Sequence, residues 1–230
     1  MGDYNKLPDA FFTRFEKSYY TPGRTFPLLS GGSEQGQVSV QKAVGISCVS
    51  LIATVKLPIP MPDPQMALVV TSVDGLELHR DWREPPTPEQ RAAFLQLSYG
   101  ILRRRALPAS SISDIKIDSL YSTKLGAKEP PSLIGSVTLE QKTAISHLFL
   151  MATRDGASYK ATLVSYHTGT DVEDHTDDVA ETFVDQLGLD YDGIDEVVTI
   201  VGYSESWDYI VYNEVGGVWK KIYEGGGGGC

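Results

Sequence analysis

Positive charge is in short supply in this chain. There are 20 Lys and Arg against 30 Asp and Glu, for a net charge of −10. That balance argues against a nucleic-acid partner, which needs a basic face. Long apolar runs are missing too. Ala43 to Val55 comes nearest, but Ser47, Ser50 and Thr54 interrupt it, so it reads as a buried strand and no segment is fit to span a bilayer as a helix. The start, Met1-Gly2-Asp3, has neither a basic region nor an apolar stretch behind it, so no signal peptide is legible. The expected setting is extracellular or periplasmic if a leader has been removed, and cytoplasmic otherwise. Gly2 raises N-myristoylation, but Lys6 stands where that signal wants Ser or Thr. Nucleophile elbows, Walker loops, G-x-G-x-x-G, H-E-x-x-H and Cys-x-x-Cys are all lacking, which removes the best-marked enzyme classes.

Cysteine is nearly absent: Cys48 and Cys230 are the only two. Cys230 closes the chain after five glycines. One reading is a flexible linker ending in a conjugation thiol. The other is a tail tied back to Cys48, a bridge that would contribute about 2–4 kcal/mol and would mark an oxidising compartment. A glycine tether reaches in any direction, so both stay open.

What is present is a β-rich globular chain. Its 230 residues and 41% hydrophobic content support a real core. Residues 1–37 read as an irregular lead-in with a short helix start at Phe11 and Phe15 and breakers at Thr21-Pro22-Gly23 and Ser30-Gly31-Gly32-Ser33. Residues 38–110 read as β hairpins plus a helix: strand over 38–57, a stiff proline connector through Pro64, then a hairpin from Met66 to Trp82 turning at Asp74-Gly75. The helix spans about 87–105. Thr87-Pro88-Glu89-Gln90 supplies its N-cap, first-turn proline and capping-box glutamine. Phe94, Leu97, Ile101 and Leu102 share one face, and Arg103-Arg104-Arg105 closes it at the negative end of the macrodipole. That triplet suits an anionic partner or, more simply, a solvated helix end.

Residues 111–224 read as two blade-like repeats: a strand at Ser132–Val137 with a hairpin His147–Tyr166, then a strand at Glu196–Val201 with a hairpin Trp207–Tyr223. Asp177 to Leu187 reads as a short helix, because Val179, Phe183 and Leu187 are spaced by four. Residues 225–230 are the glycine tail. Two or three such units fall short of the roughly four blades a closed propeller needs. The expected fold is therefore mainly β with minor α: open, blade-like antiparallel β repeats, partly propeller-like or a curled sheet, with one packed helix.

The acidic residues cluster. Asp171 to Glu196 holds eleven carboxylates and no Lys or Arg, and the rest of the chain carries 19 acidic against 20 basic residues. Carboxylates so crowded repel one another unless a cation or solvent screens them. The run ends in Leu189-Asp190-Tyr191-Asp192-Gly193-Ile194-Asp195-Glu196-Val197-Val198, whose Asp-x-Asp-Gly core is one way a tight loop points oxygens at Ca²⁺. This stretch resembles the Asp-rich loop of integrin-type FG-GAP and VCBS repeats. The resemblance implies a secreted bacterial blade protein with Ca²⁺ as the cofactor and Asp190, Asp192, Asp195 and Glu196 as metal ligands. The family's first Asp is Gly188 here and its first glycine is Tyr191.

Other constellations are weaker. His167 and His175 with Asp171 and Asp174 have the residue types of a Zn²⁺ site but no supporting motif. His147 reads as a sheet-surface residue, and Cys48 as a buried or bridged thiol rather than a nucleophile. Trp207, Tyr209, Tyr212, Trp219 and Tyr223 alternate along strands. They suit either cross-strand packing or an aromatic platform for a carbohydrate or protein partner. The leading functional expectation is a non-enzymatic secreted binding, assembly or structural protein with a Ca²⁺-stabilised loop; self-assembly stays open. The alternatives are a carboxylate-dependent hydrolase and a cytosolic interaction module. Acids splayed on a loop surface favour the first, and two carboxylates converging with aromatics in a cleft favour the second.

Overall fold

The computed structural model describes residues 9–47, 50–57, 68–79, 82–105, 115–141, 144–169 and 179–229. Cys48, Cys230, Asp171, Asp174 and His175 lie outside them, and with them the expected bridge and most of the zinc candidate. The elements, in order, are α1 (Asp9–Tyr19), β1 (Thr25–Ser30), β2 (Ser33–Ser47), β3 (Ser50–Lys56), β4 (Leu68–Val69), α2 (Pro88–Arg104), β5 (Lys116–Thr123), β6 (Ser132–Gln141), β7 (Ala144–Asp155), β8 (Ser158–Gly169), β9 (Ala180–Leu187), β10 (Glu196–Gly202), β11 (Ser206–Glu214) and β12 (Trp219–Gly229). The strands form three four-stranded antiparallel sheets: an N-terminal one ordered β3-β2-β1-β4, a middle one ordered β5-β6-β7-β8 and a C-terminal one ordered β9-β10-β11-β12. They stay open rather than closing into a barrel, so the fold is mainly β and blade-like as expected.

The middle sheet is buried on both faces, and alternation along β6 shows why. Leu133, Val137 and Leu139 meet Phe94, Ile101 and Leu102 of α2, together with Leu148 and Leu150 of β7. Ile134, one residue out of step, joins Phe149 and Met151 on the opposite face. There the C-terminal sheet supplies Phe183, Val197, Val201, Ile210, Tyr212 and Trp219. Phe94 is wholly buried, and its truncation to alanine would cost about 3–5 kcal/mol. The capping box at the start of α2 forms as read: Thr87 Oγ1 accepts from Gln90 N at 3.2 Å, and Gln90 Oε1 accepts from Thr87 N at 2.8 Å.

Five expectations need correction. The stretch 38–57 is not one buried strand: it spans the end of β2 and β3, which pair with each other, and Val44, Ile52 and Val55 are exposed. The lead-in is not irregular: α1 and β1 occupy it, and β2 begins before residue 38. Gly31 and Gly32, at φ 63° and 71°, are the two-residue turn of the β1–β2 hairpin, where both central residues need positive φ. The stretch read as a helix up to Leu187 is β9. A spacing of four is also a multiple of two, and pairing with β10 on one side decides for the strand. Among the described residues of the hairpin expected over 66–82, no strand pairing crosses the Asp74-Gly75 turn; Leu68–Val69 pairs with β1 instead. Beyond that turn the chain leaves β4; Glu77 bridges to Gly188 and His79 N donates to Gly32 O. The glycine tail is not a separate appendage, because β12 pairs with β11 as far as Gly229. Gly227 lies so close to the Trp207 carbonyl that any Cβ would collide with it.

Candidate functional site

The acidic turn joins β9 to β10, and its carboxylates go to different places. Asp190 Oδ1 accepts from Asp192 N at 3.2 Å and Asp192 Oδ1 from Ile194 N at 2.8 Å. These are Asx turns, in which a short acidic side chain caps backbone two residues on. Asp190 Oδ2 accepts from Asn213 Nδ2 of β11 at 2.9 Å. Asp190 and Asp192 are both exposed. Glu196 is buried, and its Oε2 accepts from Leu189 N at 2.7 Å. Burial pushes the Glu196 carboxyl above its ordinary pKa, and the nearby charges of Asp190 and Asp192 push the same way. Tyr191 has φ 62°, the one non-glycine residue at positive φ among those described. It occupies the place where the FG-GAP-like pattern has glycine, and an L-residue there carries about 1–2 kcal/mol of strain.

Asp195 points the other way, into a polar junction where the three sheets meet. Its Oδ2 accepts from His79 Nε2 and from Gln186 Nε2, each at 2.7 Å. The His79 ring stacks on Trp82 with centroids 3.7 Å apart and planes 4° from parallel. Gln186 of β9 also donates to Lys124 O at 2.5 Å and accepts from Thr123 Oγ1 at 2.7 Å, which ties in the end of β5. Asp195 N donates to Leu125 O. Next to Gln186, Asp185 Oδ1 accepts from Gly31 N at 2.7 Å, and Arg83 lies 3.6 Å from the same oxygen. The N-terminal hairpin turn, the end of β5 and strand β9 are thus joined by hydrogen bonds among buried groups. Such bonds are strong when every member is satisfied.

Asp195 is committed to the junction, and each of the other three acids accepts a backbone amide through one oxygen. No group of three or more His, Cys, Asp or Glu that could hold an ion occurs among the described residues. Of the zinc candidates, His167 pairs across the sheet with His147. Its Nε2 lies 3.1 Å from Ser165 Oγ, and His147 Nδ1 lies 2.9 Å from Thr138 Oγ1.

The five aromatics divide between two faces. Tyr212 and Trp219 are buried in the core shared with the middle sheet. The Tyr212 hydroxyl donates to Glu181 Oε1 at 2.9 Å, and burial with that carboxylate pushes its pKa well above the ordinary phenol value. Trp207 and Tyr209 alternate with them, and Tyr223 lies opposite Val211 on the same side. Trp207 keeps 40% and Tyr223 49% of its surface open. The residues facing Trp207 and Tyr209 on β12 are Gly228 and Gly225; on β10, Gly202 faces Trp207, whereas Ile200 faces the half-buried Tyr209.

No family model, curated protein or solved structure matches this chain.

Residues that sequence reading missed are His79, Trp82, Asp185 and Gln186. Neither spacing nor motif marks them; His79 is 116 residues from Asp195, and only the fold brings them together.

Proposed function

We propose that this chain is a non-enzymatic binding protein, an open β scaffold that offers the far face of its C-terminal sheet to a saccharide or a partner chain. The observation that carries this is the row Trp207, Tyr209 and Tyr223 beside a glycine strand. The exposed rings of Trp207 and Tyr223, with half-buried Tyr209 between them, can stack against a sugar ring or an apolar partner surface. The acidic turn supports the same reading: Asp190 and Asp192 are splayed at the surface and engaged with backbone amides, Asp195 is locked in the sheet junction, and Glu196 is buried against Leu189 N. A secreted setting accompanies this proposal, as does the likeness of Leu189–Val198 to FG-GAP-type blades.

The test pairs a glycan array with sedimentation over a range of protein concentrations. Saccharide binding or concentration-dependent association is expected, and Trp207→Ala with Tyr223→Ala should abolish it. Hydrolysis of a glycoside that Glu196→Gln eliminates would instead favour a carboxylate-dependent enzyme.

A further inference from the structure

A groove of about 680 Å³ runs between α2 and the β7–β8 hairpin, away from both the acidic turn and the aromatic face. Its volume falls in the range of small-ligand sites. Ala93, Leu97 and Gly100 lie along its middle. A Cβ at Gly100 would meet only the Arg104 guanidinium, at 3.9 Å, so the space above that glycine is open.

The groove has a cation toward each end. Arg154 is the cross-strand neighbour of Tyr159, whose hydroxyl accepts from Gln90 Nε2 at 3.2 Å in the first turn of α2. Arg104 belongs to the last turn of the helix. From Gln90 to Gly100 the helix rises about 15 Å. Neither guanidinium has a carboxylate within ion-pair reach among the described residues, although the chain as a whole is strongly acidic. The capping-box glutamine does a second job here. Its Nε2 also donates to Ser122 Oγ at 3.0 Å. The Tyr159 hydroxyl, already accepting a bond, keeps its own proton to donate toward a ligand.

We propose that this groove binds an elongated anion with an apolar body and a carboxylate at each end. The apolar middle takes the body and one arginine takes each head group. A guanidinium matches either carboxylate or phosphate, but each end offers only one. Arg104 also sits at the negative end of the helix dipole, and Glu89 lines the opposite end of the groove. A singly charged head at each end therefore suits the site better than a dianionic phosphate.

The probe is decanedioate, titrated calorimetrically into the intact chain at low ionic strength, with succinate and octanoate as the short and one-headed controls. Saturable binding is expected, weakened about tenfold by Arg104→Gln or by Arg154→Gln and lost in the double variant. Octanoate and succinate should each bind more weakly than decanedioate. Both arginines are exposed, so the variants should keep the far-UV spectrum and melting temperature of the parent. Arg103→Gln, on the same helical turn but outside this groove, should bind as the parent does. Three results would overturn the proposal: no binding up to about 10 mM decanedioate, equal affinity in the double variant, or the same loss in Arg103→Gln, which would mean general charge screening.

Discussion

His79 Nε2 and Asp195 Oδ2 lie 2.7 Å apart across the meeting point of the N-terminal and C-terminal sheets, with both side chains largely buried. Asp195 holds Gln186 as well, and Gln186 holds the end of β5. One carboxylate from an acidic run thus acts as a fastening for the fold.

Removing either partner should therefore cost more than an ordinary surface contact. His79→Ala and Asp195→Ala are each expected to destabilise by about 1–3 kcal/mol, since each leaves a buried polar group without its partner. The double variant should lose less than the two single losses together, as residues in one network are coupled. Urea denaturation of the four proteins checks this. Gly32→Ala should also be destabilising, because a Cβ there would meet the His79 ring at a backbone φ of 71°. Additive losses would mean that His79 and Asp195 act independently.

Glu196 makes stability depend on pH. Its folded-state pKa is raised above the ordinary value of 4.5, first by burial. A raised carboxyl contributes stability that is complete below about pH 4.5 and is lost as pH rises through the folded pKa. Glu196→Gln removes the ionisation and keeps an oxygen to accept from Leu189 N. The variant should therefore melt higher than the parent at pH 7, with the gain shrinking toward pH 4.5. A constant offset across that window would contradict the assignment.

Calcium should have little effect. With Asp195 turned into the junction, millimolar Ca²⁺ is expected to leave the melting temperature unchanged at low salt. A rise that Asp192→Asn removes would show that a cation binds the turn after all, since a ligand that prefers the folded state stabilises by mass action.

A bridge between Cys48 and Cys230, one of the two readings of the glycine tail, is tested by reduction. Strand β12, which ends one residue before Cys230, lies against β3, which begins two residues after Cys48. Reduction, or Cys48→Ser, should lower stability by about 2–4 kcal/mol. Free labelling of both thiols in the folded protein would rule the bridge out and remove the main support for an oxidising setting.

The parts of the fold legible in the sequence were those governed by local chemistry. Thr87 and Gln90 announced α2 because capping needs specific side chains at fixed spacing. The strand read at Ser132–Val137 announced β6 because its β-branched and apolar residues suit the pleat. Val179, Phe183 and Leu187 misled because a spacing of four suits both periods, and strand pairing with β10 is a non-local choice. The glycine tail misled because pairing of backbone against Trp207 and Tyr209 leaves no mark in side-chain pattern. At the site, the acidic turn was visible as composition, but the direction each carboxylate faces was not. Asp190 and Asp195 look alike in sequence; His79 and Gln186, distant in the chain, separate their roles.

The central claim is that the partner lies on Trp207. The chain has three tryptophans, so Trp82→Phe with Trp219→Phe leaves Trp207 as the only indole. When the saccharide or chain that binds the parent is titrated into this variant, the emission of Trp207 should shift and saturate at the concentrations at which calorimetry reports binding. Binding that is evident by calorimetry but leaves Trp207 emission unchanged would place the partner elsewhere and contradict the proposed function.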